Sequence, residues 1–338
     1  MATFSRILLI KPSSLGDIVH ALPTLHALRA AFPQAHIGWL VKGEWAGLLE
    51  RCDGLDRIWP VGPGLSGWLS AVPSLRAARY DLAVDLQGLF RSAVMARLAG
   101  CPARIGFADG REGSPFFYTE RVTVPTSDMH AVDRYLLVAD ALGAKRDAPS
   151  FQFRDLEEDR ARVGQLLARH GIPSGTAWIA VNPSARWPTK RWAPERFAAA
   201  ADELQRSGAG RIVLIGGPEA RPEARAVAGR MHTPPVDLTG QTDVALLPAL
   251  LKSAAVLLTN DSGPMHVAAA VGTPVVAVFG PTSPVRTGPY GAGHRTLNAG
   301  IPCSPCFSRT CRNPVQLECL TGIAPEAAAA AVRELLKQ

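Results

Sequence analysis

RILLIKPSSLGDIVHALPTLHALRAAFPQAHIGWLV, residues 6–41, holds a complete supersecondary unit, and its reading decides the fold. An apolar run, RILLIK (6–11), gives way to a loop that contains Ser13, Ser14 and Gly16 and ends on a lone acid, Asp17. Apolar residues then recur at 18, 22, 25, 28 and 32, which is helical spacing. Phe32-Pro33 ends that pattern, because the residue before a proline is pushed out of the α region. A second short apolar run, HIGWLV (36–41), follows. Strand, helix and strand in this order predict a parallel pair joined by a right-handed crossover, with Asp17 where the helix begins.

The same alternation extends outward. DLAVDL (81–86) is a further strand candidate, and AWIAV (177–181), RIVLIG (211–216), VLLTN (256–260) and PVVAVFG (274–280) restart the pattern. Helical stretches at 194–206 and 244–252 fill the gaps. The break lies in the polar segment FRDLEEDRARVGQLLARHGIPSG (153–175). A chain of 338 residues is long enough for two cores of about 150 residues each. The expected fold is α/β: two doubly wound, Rossmann-like domains at 1–160 and 161–324, facing each other across a cleft, with a terminal helix at 325–338 opened by Pro325.

Composition narrows the function. Apolar residues make up 47% and charged residues 19%, which fits a folded protein rather than a disordered one. The net charge of +7 is not gathered into a basic stripe, so it points to an acidic substrate or anionic surface and not to nucleic acid. No apolar run reaches 18 residues, so no membrane span is expected, and ILLI is too short for a signal peptide. The expected setting is the cytoplasm, free or resting against the inner membrane's cytoplasmic face. Four of the six cysteines, Cys303, Cys306, Cys311 and Cys319, crowd into CSPCFSRTCRNPVQLEC. That spacing is compatible with a metal or cluster, with disulfides in an oxidising compartment, and with reduced loop thiols. No metal site is assigned, and Cys52 and Cys101 receive no role.

In open parallel sheets, ligands sit beyond the carboxyl ends of strands, and the chemistry-bearing residues follow strands here. LLTNDSGPMHVAAAVGTPVVAVFGPTSP (257–284) places Asp261, Ser262 and Gly263 at the start of a helix whose first turn suits a phosphate. His266 is either a ligand group or a satisfied core histidine. NPSARWPTKRWAPERF follows the 177–181 run and brings Ser184 and Lys190, which is either a cation suited to a leaving phosphate or an ordinary surface lysine. Trp187 and Trp192 read as packing groups. After 211–216 comes GGPEA, where Glu219 either accepts from a ribose or complements a helix dipole. Asp17 reads both as a helix cap and as an acid poised for chemistry. The P-loop and a D-x-D pair are missing, which counts against an ATPase, and no cofactor is assigned.

KPSSLGD, YDLAVDLQGLFRSA, HAVDRY, NPSARWPTKRW and TNDSGPMHVAAAVGTPVVAVFGPTSP together resemble the lipopolysaccharide heptosyltransferases of glycosyltransferase family 9. The resemblance implies a GT-B architecture, an ADP-heptose donor held by the C-terminal domain, and transfer with inversion to a Kdo-lipid A type acceptor of the inner core. It implies Asp17 as general base and Lys190 near the donor phosphates. Glu219, Asp261, Ser262, Gly263 and His266 fall on the donor side, with Ser184 and Thr242 in loops that approach the adenosine. Ser13, Ser14 and Gly16 are assigned to the acceptor, and Arg91 and Arg104 either meet its phosphates or carboxylates or are solvated surface charges. DLQGLFRSA and HAVDRY look like the type I enzymes, whereas the donor half looks closer to type II, and the cysteine cluster is not part of the type I pattern. The alternatives are a nucleotide-sugar epimerase, a sugar-nucleotide binding module, and a transferase for a protein or other glycan.

Overall fold

Leu8, Leu9, Ile10, Ile179, Ala180 and Val181 are fully buried, as strands become when helices cover both faces of a parallel sheet. The computed structural model describes residues 3–144 and 149–337. The chain divides into two units, Met1–Arg154 and Asp155–Gln338. The first holds β1 (Arg6–Ile10), β2 (His36–Lys42), β3 (Arg57–Val61), β4 (Leu82–Asp85), β5 (Ala103–Phe107) and β6 (Glu120–Val122). The second holds β7 (Trp178–Asn182), β8 (Arg211–Leu214), β9 (Val236–Asp237), β10 (Val256–Asn260), β11 (Val275–Val278) and β12 (Arg295–Leu297).

The sheet orders are β3-β2-β1-β4-β5-β6 and β12-β11-β10-β7-β8-β9, every pair parallel. Counted from its own first strand, each sheet has the same doubly wound order. The order reverses between β1 and β4 in one unit and between β7 and β10 in the other. Crevices for ligands open at these reversals, beyond the carboxyl ends.

The first helix spans Leu15–Ala31, three residues earlier than the apolar stripe indicates. The stripe is an incomplete guide because the helix is buried beyond it: Ile18, Leu22 and Leu25 are buried, the helix Ala131–Ala141 packs against it, and Val19 and Ala21 are buried as well. Ser14 is therefore the N-cap, and Asp17 lies in the first turn and not ahead of it. The helix expected at 244–252 is shorter, Leu247–Ser253. The polar segment between the halves folds into the helix Glu157–Arg169. Pro325 opens the helix Pro325–Leu335, whose Ala328, Ala329, Val332 and Leu335 join the core of the second unit.

Candidate active site

In the first unit the loop after β1 meets the loop after β4 at the reversal of strand order. Lys11, buried directly after β1, donates from Nζ to Leu86 O at 3.1 Å and so ties the two loops together. The same ammonium lies 4.8 Å from the Tyr135 ring centroid and 3.9 Å from Asp17 Oδ1. Ser14 donates to Asp17 Oδ2 from its N–H at 2.9 Å and from its hydroxyl at 2.8 Å, while Tyr135 Oη reaches Oδ1 at 3.4 Å. Ile18 N–H bonds Ser14 O at 2.9 Å, the first bond of the helix.

Asp17 braces the helix start and keeps its side chain 41% exposed. Burial of the surrounding loop acts to raise its pKa, but the Lys11 ammonium, the Ser14 hydrogen bonds and His20 outweigh that and hold it below the usual aspartate range. The carboxylate is therefore ionised at neutral pH. Ser13 and Ser14 are half-buried and Gly16 is buried in the same loop. Asp85, at the end of β4, is fully buried and shapes the neighbouring loop by accepting from the N–H groups of Gln87 and Gly88 and from Tyr118 Oη. Arg104 spends its donors on the carbonyls of Cys101, Pro102 and Phe117, so it serves the loop rather than standing ready for an acceptor.

In the second unit, the loops after β7 and β10 interlock. Asn182, the last residue of β7, donates to Ser262 Oγ at 2.9 Å and to Thr259 Oγ1 at 3.2 Å. Asn260, the last residue of β10, accepts from Trp192 N–H at 2.9 Å and donates to Pro183 O at 2.8 Å, pinning both ends of the segment that carries Lys190. Lys190 Nζ lies 2.6 Å from Asp261 Oδ2, which also accepts from Thr282 Oγ1, and sits 4.8 Å above Trp187. Trp192 is a core residue, as read; Trp187 is half-buried and has a second cation near its ring, the Arg309 guanidinium at 5.1 Å.

Ser262 caps the helix Gly263–Ala270 through its backbone, while its hydroxyl faces Asn182, so the first turn carries no side-chain cap. That leaves the helix start suited to an anion. His266 is buried on this helix. Glu219 is exposed after β8, folded back over Gly217, where any side chain would collide with its carboxylate. Ser184 is half-buried beside Asn182, and Thr242 is half-buried in the loop after β9.

Lys11, Tyr135, Asn182, Asn260 and Thr282 are the residues that the sequence reading missed. A local signal existed for two of them, since Asn182 closes a strand of otherwise apolar residues and Asn260 one that is apolar up to Thr259. Among the described residues, no group of three or more His, Cys, Asp or Glu side chains is placed to hold a metal, and no helix is long and apolar enough to cross a membrane. Cys303 and Cys306 are exposed, Cys311 is half-buried, and Cys319 is buried with its pKa raised, first by burial and then by the other three sulfurs.

The sequence pattern of glycosyltransferase family 9 (heptosyltransferase) matches residues 68–316. Lipopolysaccharide heptosyltransferase 1 of Pseudomonas aeruginosa is 28% identical over 90% of this chain and 87% of its own length. Lipopolysaccharide heptosyltransferase 2 of Escherichia coli K12 is 29% identical over 86% and 87%. Among solved structures, a family 9 glycosyl transferase of Veillonella parvula aligns with a TM-score of 0.87 at 27% identity, covering 99% of this chain and 98% of that one. The E. coli heptosyltransferase WaaC with ADP-2-deoxy-2-fluoro heptose aligns at 0.67 and 25%, covering 97% and 99%. With two doubly wound sheets, loops interlocked at both reversals of strand order and a family pattern spanning most of its length, this chain belongs to glycosyltransferase family 9.

Proposed function

We propose that this glycosyltransferase moves heptose from ADP-heptose to the Kdo or heptose sugars of a lipid A type inner core, with inversion at the anomeric carbon. In the reaction the acceptor oxygen forms a bond to C1 of the donor heptose. Its proton passes to an Asp17 carboxylate oxygen, and the bond from C1 to the phosphate oxygen breaks, with ADP taking the electron pair. Lys190 and the N–H groups that open the helix Gly263–Ala270 compensate the charge that grows on the pyrophosphate, as preorganised donors do most effectively away from water. Ser184, Glu219, Thr242 and His266 complete the donor side, and Ser13, Ser14 and Gly16 the acceptor side. The reaction needs no cofactor and is placed in the cytoplasm, where the nucleotide sugar is available.

The observation that carries this reading is the Asp17 carboxylate, kept ionised by Lys11 and Ser14 and yet open to an incoming hydroxyl. The donor assignment draws support from the WaaC complex with an ADP-heptose analogue, and the acceptor class from relatives named for lipopolysaccharide. Near-equal identity to a type 1 and a type 2 enzyme leaves both Kdo and heptose termini as acceptors to be assayed.

The test incubates the purified protein with ADP-heptose and a panel of Kdo-terminated and heptose-terminated acceptors, with products read by mass spectrometry. A heptose added to one class supports the reading. No transfer to any of them, or a new epimer from ADP-heptose alone, overturns it. Asp17→Ala is expected to retain ADP binding and lose turnover by about 100- to 10,000-fold, the range for a general base.

A further inference from the structure

The first unit exposes large apolar side chains that its active-site loops do not use. Phe116 is 85% exposed, Leu65 67%, Phe90 50% and Leu69 45%. Contacts link the segments that carry them. Phe90 meets Phe117, the neighbour of Phe116, edge-on at 5.6 Å. Arg91 lies 5.3 Å from the ring of Trp68, which brings up the helix Gly64–Leu69. That helix turns Trp68 inward and leaves Leu65 and Leu69 outside.

Arginines border the aromatic part. Arg91 and Arg111 are exposed, with Arg111 N–H bonded to Gly88 O at 2.9 Å, and exposed Arg121 donates from Nε to Pro115 O at 3.0 Å. The acids nearby are Glu112, which accepts from Phe90 N–H at 3.3 Å, and exposed Glu120. Scattered apolar residues on a surface are ordinary; protruding phenylalanines joined to leucines and edged with guanidinium groups are not.

We propose that this surface docks the enzyme on an anionic lipid bilayer, the phenylalanine and leucine tips entering the interface while Arg91, Arg111 and Arg121 pair with headgroup phosphates. Tips that project suit a soft interface, and fork-shaped guanidinium groups suit phosphate oxygens. The positive net charge of the whole chain adds to the attraction. The proposal deepens the reading of a lipid-anchored acceptor and rests on it for its purpose, but membrane binding is measured without turnover, so the two can fail separately.

The experiment is co-sedimentation with vesicles of phosphatidylethanolamine and phosphatidylglycerol, against vesicles of phosphatidylcholine. Wild-type protein is expected to pellet with the anionic vesicles and to be released by salt. The F90S/F116S variant should bind at least ten-fold more weakly, from the apolar area it no longer buries. The R111E/R121E variant should lose about five-fold or more per arginine. With a deacylated, water-soluble acceptor, turnover by F90S/F116S should stay within about two-fold of wild type, since neither phenylalanine is among the residues assigned to the reaction. The proposal falls if wild type ignores vesicles, if F90S/F116S pellets normally, or if phosphatidylcholine binds as well. It falls equally if F90S/F116S loses turnover on the soluble acceptor, which would make the patch an acceptor site, or if sedimentation velocity shows a dimer that F90S/F116S dissolves.

Discussion

Lys190 and Asp261, 71 residues apart in sequence, meet at 2.6 Å and bind the loop after β7 to the loop after β10. Asp261 is 4% exposed and Lys190 18%. The bond resolves the conflict of a carboxylate placed where a pyrophosphate is expected, because the charge of Asp261 is met by Lys190 and its free lone pairs by Thr282. Lys190→Met therefore removes a cation and strands a buried anion. The expected result is a loss of turnover of about 100- to 1,000-fold, as for one preorganised donor, and a loss of stability of about 3–5 kcal/mol. Adding Asp261→Asn should return most of the stability, read by urea denaturation, without returning turnover. Recovery of turnover in the double variant would reduce Lys190 to a counter-ion.

The second prediction concerns pH. A general base works only when ionised, and Asp17 is held below the usual aspartate range despite the opposing effect of burial, chiefly by Lys11 at 3.9 Å. The acid limb of kcat/KM should accordingly lie below that range. Lys11→Met removes the largest stabiliser of the ionised form, so the pKa rises and activity is lost at a higher pH than in wild type. Tyr135→Phe removes only a long 3.4 Å contact and should move the limb less. An unmoved limb in folded Lys11→Met, checked by circular dichroism, would show that Lys11 does not set the base.

These relationships also mark what the sequence makes legible. The periodicity of residues 18–32 between two apolar runs is enough for a parallel unit, and the rule that ligands follow strands is enough to single out Asp17, Lys190 and Asp261. Spacing does not reveal that Lys190 and Asp261 touch, because that follows from strand order. Lys11 looks like the polar end of a strand until β4 pairs beside β1 and supplies Leu86 O. Tyr135 comes from a helix 118 residues from Asp17. Edge strands such as β9, with two residues, carry too few side chains for any alternation to register.

Asn260 gives a third prediction. Its fully buried amide bonds Trp192 N–H and Pro183 O, closing a loop of which Lys190 is part. Asn260→Ala leaves two buried backbone groups without their partner, at about 1–3 kcal/mol each. Stability by urea denaturation should fall by that order, and ADP should bind more weakly because Lys190 is no longer held. Asn260→Asp keeps the acceptor for Trp192 and loses the donor to Pro183, so it should fall between alanine and wild type. Equal stability of all three would show that the loop is held by other contacts.

The terminal helix supplies the last prediction. Leu335 is 3% exposed and belongs to the same core as Val276, Val278 and Phe197, so the chain's last turns complete the second unit. Leu335→Ala empties part of that core and should cost about 2–5 kcal/mol. The two units have separate cores, so the effect should be local. Hydrogen exchange should speed up in the helix Pro194–Arg206 and in β10 and β11, against which the terminal helix packs, while β1 and β2 keep their protection. Since β10 ends in Asn260 and leads into Asp261, ADP affinity should fall with the lost protection although Leu335 lies in the core and not among the donor-side residues. Uniform acceleration across both units would mean that they unfold as one cooperative body, and unchanged exchange would mean that the helix only decorates the second unit.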